Sequence, residues 1–297
     1  MTPIKSLLAA TDFSELSRLA ADRAARLAGA AGARLRLVHA VSGSALAQLE
    51  QLLGLDTAVE ARLIEQARQA LESLAAELRA VHGVAVDTTL LQGAVLEQIT
   101  QEANRVEADI VVVGARGTGF VRHFLLGSTA ERLLRKSVHP MLVVKKAPRE
   151  TYRRVLVPVD FSAWSAPLID LARAVAPGAH LVLLNAYEVP FEGKLRFASV
   201  SDATIESYRA KSHRAASLQL QALAADAGLQ PADWTPCIPH ADPSQAIVEH
   251  EQACGCDLIV IGKQGQTMTE ELLLGSVTKH VLVESVGDVL VATLKPT

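Results

Sequence analysis

The chain superimposes on itself when slid by 148 places, and no other feature limits its architecture as tightly. Asp12-Phe13-Ser14 falls on Asp160-Phe161-Ser162, and Leu142-Val143 falls on Leu290-Val291. Gly114, Gly117, Gly127 and Ser128 fall on Gly262, Gly265, Gly275 and Ser276. One register serves from near the first residue to near the last, so the 297 residues read as a duplicated domain. The charged stretch Lys145-Lys146-Ala147-Pro148-Arg149-Glu150 marks the join, giving domains 1–147 and 152–297. Two domains of about 150 residues are ordinary in size.

Within each copy, short apolar runs alternate with longer segments of helical period, the pattern of a parallel sheet covered by helices on both faces. In the first copy strands are expected at Ile4 to Ala10, Arg34 to Ala40, Val84 to Leu91, Asp109 to Val113 and Met141 to Val144. Helices are expected after Ser14, which is a suitable N-cap, within Ala45 to Val81, over Leu96 to Ala108, and near Thr129 to Lys136. The second copy repeats the order, with strands near Val155 to Val159, His180 to Asn185, Trp234 to Ile238, Leu258 to Ile261 and Val289 to Ala292. Right-handed crossovers wind such units into an open sheet that binds ligands where the strand order reverses, between the first and fourth strands.

Composition removes several function classes. A net charge of -3 argues against a nucleic-acid partner, which calls for a clustered basic excess. The apolar runs are too short to cross a bilayer, and Asp12 breaks any reading of the first residues as a signal peptide, so a cytoplasmic protein is expected. Three cysteines, Cys237, Cys254 and Cys256, suit a reducing compartment. With His240 and His250 they suggest a metal site, but Cys-x-Cys lacks the usual zinc spacing, and small buried thiols are the commoner reading.

The chemistry concentrates after the fourth strand. There the first copy carries Gly114-Ala115-Arg116-Gly117, nine residues, then Gly127-Ser128-Thr129. The second carries Gly262-Lys263-Gln264-Gly265, nine residues, then Gly275-Ser276-Val277-Thr278. Glycines there let backbone N–H groups approach an anion, and the helix that follows adds its N-terminal amides and dipole. The same spacing also fits glycines needed only for tight turns. The nine-residue arm is basic in the first copy, through Arg122 and His123; in the second it carries Glu270 and Glu271.

This loop, Thr11-Asp12-Phe13-Ser14 after the first strand and the closing Pro140-Met141-Leu142-Val143-Val144 together resemble the universal stress protein family in its ATP-binding branch, over nearly the whole chain. The resemblance implies two Rossmann-like (adenine nucleotide alpha hydrolase-like) α/β domains, each a five-stranded parallel sheet flanked by helices, paired as an intramolecular pseudo-dimer. It implies bound ATP, or AMP or ADP, with magnesium as a companion ion. Adenine is expected near Asp12 and the backbone of Ala40, with ribose and phosphates on Gly114, Ala115, Gly117, Gly127, Ser128 and Thr129; Thr11 and Arg116 complete the set. The matching positions in the second copy are Val159, Asp160, Ala186, Gly262, Lys263, Gly265, Gly275, Ser276, Val277 and Thr278. Asp12 and Asp160 also suit a turn or capping role. Many members carry a hydroxyl three places after the third glycine; Thr278 supplies it, whereas the first copy has Ala130.

Walker, nucleophile-elbow and His-Glu-x-x-His motifs are all missing, so a binding and sensing role in stress response is expected rather than catalysis, with protein partners unspecified. His39 reads as a structural hydrogen-bonder, its counterpart being Asn185. The rival reading is a scaffold, or a carrier of an apolar ligand beneath the long second helix.

Overall fold

The computed structural model describes residues 3–42, 57–116, 126–148, 150–189, 197–198, 200–264 and 274–293. The chain divides into two compact units, Thr2–Thr151 with Leu290–Thr297, and Tyr152–Val289. The two repeats are taken in turn.

In the first repeat the elements run β1 (Ser6–Ala10), α1 (Glu15–Ala31), β2 (Arg34–Val41), α2 (Thr57–His82), β3 (Val86–Gln92), α3 (Val95–Arg105), β4 (Ile110–Gly114), α4 (Ser128–Lys136) and β5 (Met141–Val144). The strands are parallel in the order β3-β2-β1-β4-β5. The direction of winding therefore reverses between β1 and β4, at the expected crevice. Leu7, Leu8 and Ala9 on β1 and Ile110 to Val113 on β4 are buried, which is why these strands are unbroken apolar runs instead of alternating ones. Each buried leucine or valine contributes about 1.5–3 kcal/mol.

The second repeat has β6 (Arg154–Pro158), α5 (Ser165–Val175), β7 (His180–Leu184), α6 (Asp202–Asp226), β8 (Trp234–Cys237), α7 (Pro243–Ala253), β9 (Leu258–Gly262), α8 (Ser276–Glu284) and β10 (Asp288–Ala292). Its order is β10-β9-β6-β7-β8, so β6 and β9 flank its crevice. Pro236 interrupts donation from β8, a strand at the end of that order, where a missing N–H is tolerated.

Two boundaries differ from expectation for identifiable reasons. The first strand starts at Ser6 instead of Ile4, because one carboxylate oxygen of Asp109 accepts the amides of Lys5 (2.6 Å) and Ser6 (2.9 Å). Asp257 accepts the amides of Arg153 and Arg154 in the second repeat, one on each carboxylate oxygen. Helix α3 stops at Arg105 instead of Ala108: Glu107 turns left-handed (φ 49°) and the Ala108 amide donates back to the Ala103 carbonyl at 2.9 Å.

The helix after the first strand distinguishes the repeats. Helix α1 starts at Glu15, capped by Ser14, which accepts the Ser17 amide. The counterpart of Leu19 is Pro167, whose missing N–H is harmless only in a first turn. Helix α5 accordingly starts two residues later in register, at Ser165, with Pro167 in its third position and Trp164 outside as N-cap. Where α1 starts early it crowds β4. A Cβ on Gly114 would stand 2.8 Å from the carbonyl of Leu16 and 2.9 Å from the Ser17 nitrogen, whereas one on Gly262 would meet the Gln264 carbonyl at 3.1 Å. Gly114→Ala should therefore destabilise the protein by about 1–3 kcal/mol, and by more than Gly262→Ala does, as read from the midpoints of urea unfolding.

Candidate functional site

A cavity of about 410 Å³ opens at the switch point of the first repeat. Thr11 and Asp12 border it from the end of β1, and His39 and Ala40 from β2. Gly114 and Arg116 follow β4, while Gly127, Ser128 and Thr129 form the start of α4. Val95 and Ile99 add an apolar wall from α3. Ala115 is buried behind this lining, and Gly117 lies outside the described residues.

The second repeat carries the corresponding cavity, of about 260 Å³. Val159, Asp160, Ala186 and Gly262 border it, as do Gly275, Ser276, Val277 and Thr278. Lys263 is 9% exposed and stands outside this lining; Gly265 lies outside the described residues. Apart from Ala115 and Lys263, the described residues chosen from the sequence border one hollow in each repeat.

The glycine after the arm contributes shape and placement. Its amide is engaged internally: Gly127 donates to the Ala115 carbonyl at 2.8 Å, and Gly275 to that of Lys263 at 3.0 Å. The amide of Ala115 donates to Val144 on β5. These bonds tie the start of each helix to the end of the fourth strand. What then faces the cavity is the first turn of the helix. The first backbone bond of α4 runs from the Glu131 amide to the Gly127 carbonyl, so the amides of Ser128, Thr129 and Ala130 have no acceptor within the helix. Gly127 and Gly275 supply no capping side chain. An uncapped helix start beside a cavity concentrates donors and the positive end of the dipole on whatever anion enters.

After β1, Asp12 organises a turn. One carboxylate oxygen accepts both the amide (3.1 Å) and the hydroxyl (2.5 Å) of Ser14, and the Phe13 amide donates to the Thr11 hydroxyl. Phe13 is held at φ 64°, and Phe161 in the same turn of the second repeat at φ 60°. A phenylalanine pays roughly 1–2 kcal/mol for that region, and both copies keep it. Asp160 likewise accepts from the amide and hydroxyl of Ser162. The turn role weighed from the sequence is therefore present in both repeats.

The single register expected from the sequence slips at the second strand, where β1 pairs Ser6 with Arg34 and β6 pairs Arg154 with His180, so His39 corresponds to Asn185 rather than Tyr187, and the two perform one task with different chemistry. The His39 Nδ1–H donates to the Thr11 carbonyl at 2.7 Å, and the Asn185 side-chain amide donates to the Val159 carbonyl at 2.8 Å. Each locks the end of the first strand to the second, and the His39 ring also packs on Phe13, 4.4 Å between centroids. The Thr278 hydroxyl donates to the Gly262 carbonyl at 2.8 Å, so its proton fastens α8 to β9, a tie that Ala130 cannot make.

Sequence reasoning missed Trp164, Pro243 and Ile247 on the second cavity and Val95 and Ile99 on the first. The i, i+4 spacing of Val95 and Ile99 could have placed one face of α3 there, and Pro167 could have exposed Trp164. Among the described residues no three His, Cys, Asp or Glu side chains are placed together to hold an ion. Burial pushes the Cys237 thiol up to about 11 and that of Cys256 up to about 12, with Cys254 adding to both, so these two stay protonated at neutral pH. Among the described residues no helix is long and apolar enough to cross a membrane.

A profile of the Universal stress protein family matches residues 3–145 and 151–293. The chain belongs to that family, and carries its domain twice. A universal stress protein of Thermus aquaticus is 37% identical over 144 residues, 48% of this chain and 98% of that protein. One from Methanocaldococcus jannaschii is 30% identical over 146 residues, 49% of this chain and 85% of its own length. The crystal structure of a universal stress protein from Archaeoglobus fulgidus covers 97% of this chain and 95% of its own with a TM-score of 0.68, at 19% identity, a likeness of fold.

The interchange of His39 and Asn185 is testable. His39→Asn should leave stability within about 0.5 kcal/mol of the parent, whereas His39→Ala, which strands the Thr11 carbonyl, should cost about 1–3 kcal/mol in thermal or urea unfolding.

Proposed function

We propose that this protein binds an adenine nucleotide, ATP or its di- or monophosphate, in the cavity of the first repeat, with the cavity of the second repeat as a further ligand site. The observation that carries the reading is the uncapped start of α4, opening onto a cavity of about 410 Å³ that Asp12 and Ala40 also border. That volume falls within the range of small-molecule sites. In this reading the first-turn amides of Ser128, Thr129 and Ala130 hold phosphate oxygens, with Arg116 supplying positive charge beside them. In the same reading Asp12 and the Ala40 backbone, which border this cavity, recognise the base and its amino group. Magnesium would accompany the triphosphate.

The role is binding rather than turnover. Membership of the universal stress protein family supports a task in stress response, with the nucleotide state changing how the protein meets its partners in the cytoplasm. The cavity residues supply an anion cradle and a turn carboxylate that is already accepting from Ser14, not an oriented nucleophile. Gly117 and Gly265 complete the proposed phosphate contacts.

Ser128→Pro tests this without dismantling the helix. Ser128 is the first residue of α4, where proline is well tolerated, and Gly127 already has the extended conformation (φ -61°, ψ 140°) that a following proline requires. The substitution removes one donor amide and the Ser128 hydroxyl. Titration calorimetry with ATP and magnesium should show wild-type binding and at least a tenfold loss in the variant, the value of one charge-assisted hydrogen bond, with the unfolding midpoint nearly unchanged. Equal affinities in the two proteins would remove α4 from the site.

A further inference from the structure

The two cavities differ in the charge they offer a ligand. Arg116 borders the first, and its counterpart bordering the second is Gln264. A polyphosphate entering the second repeat would thus meet an uncharged amide where the first cavity offers it a guanidinium, and loses that attraction between opposite charges. The hollow is also smaller, about 260 Å³ against 410 Å³, just under the usual range for small-molecule sites.

What the second cavity has instead is an indole. Trp164 borders it and is 42% exposed, in the position Leu16 occupies in the first repeat. It is there because Pro167 delays the start of α5 and leaves Trp164 outside the helix. Leu168 and Ile247 extend the apolar wall, and the start of α8 at Ser276 supplies polar groups at one end. An exposed tryptophan on an apolar hollow with few charges suits a flat ring, which stacks on the indole whatever its exact hydrogen-bond pattern.

We propose that the second repeat binds an uncharged, flat-ringed ligand of nucleoside size, with Trp164 stacked on its ring, and discriminates against nucleoside triphosphates. The proposal rests on the reading of these cavities as ligand sites, but it concerns the second repeat alone. The two repeats would then report different members of one metabolite class, the charged and the uncharged.

The chain contains two tryptophans, Trp164 and Trp234, so the full-length protein carrying Trp234→Phe has Trp164 as its sole indole. Adenosine and ATP with magnesium serve as the probes. Adenosine should change Trp164 emission saturably, and ATP should need at least a tenfold higher concentration for the same change. Gln264→Arg, which restores the cation of the first cavity, should bring ATP to within a few fold of adenosine. In calorimetry on the otherwise wild-type chain, Trp164→Leu should weaken adenosine binding by about tenfold or more while leaving the ATP isotherm of the first repeat in place. ATP acting on Trp164 at or below the concentration of adenosine would overturn the proposal, as would adenosine binding that survives Trp164→Leu, or no adenosine binding at all. Loss of the nucleotide reading itself would appear separately, as ATP binding indifferent to Ser128→Pro, so the two failures can be told apart.

Discussion

The hydrogen bond from the Gly127 amide to the Ala115 carbonyl, repeated between Gly275 and Lys263, fixes where each functional helix begins. It closes the nine-residue arm at its base and sets the first turn of the helix against the end of the fourth strand. A parallel sheet whose order reverses between its first and fourth strands leaves a hollow at that point, and this bond aims an uncapped helix start into it. The glycine is needed because it adds no side chain of its own that could cap the helix or fill the space. The remaining features, the Asp12 turn and the His39 lock, fix the end of β1, which borders the same hollow.

Duplication has been followed by divergence at the rim rather than in the frame. Asp109 and Asp257 cap equivalent strands, Phe13 and Phe161 share a left-handed turn, and His39 and Asn185 make the same lock with different donors. These contacts set backbone position, so the two sheets agree. The differences lie where a ligand would touch: Arg116 against Gln264, Leu16 against Trp164, Ala130 against Thr278. One proline, Pro167, accounts for the largest of them by shifting the start of α5, which relieves the crowding seen at Gly114 and exposes the indole.

The repeat register and the alternation of apolar runs with helical segments carried most of the fold, because both record burial, which a single sequence displays directly. β5 falls where it was expected, residue for residue. Helix and strand ends were less legible: Asp109 trims β1, and the left-handed Glu107 ends α3, through contacts between residues distant in the chain or through a local conformation that composition does not signal. The site was legible as a set of residues but less so as a set of donors. Nothing in Gly-Ala-Arg-Gly tells that the Ala115 amide belongs to β5, or that Gly127 spends its N–H on Ala115; the spacing marks a place, and the hydrogen bonds decide which atoms remain for a ligand.

The central claim is that the first-turn amides of α4, and not those of Ala115 and Gly127, receive the phosphates. Amide-resolved NMR of the labelled full-length chain during titration with ATP and magnesium tests it most directly. The account predicts large, saturable shifts at Ser128, Thr129 and Ala130, with small ones at Ala115 and Gly127, whose amides are bonded within the protein. Binding of ATP that leaves those three amides unmoved while perturbing others would contradict it.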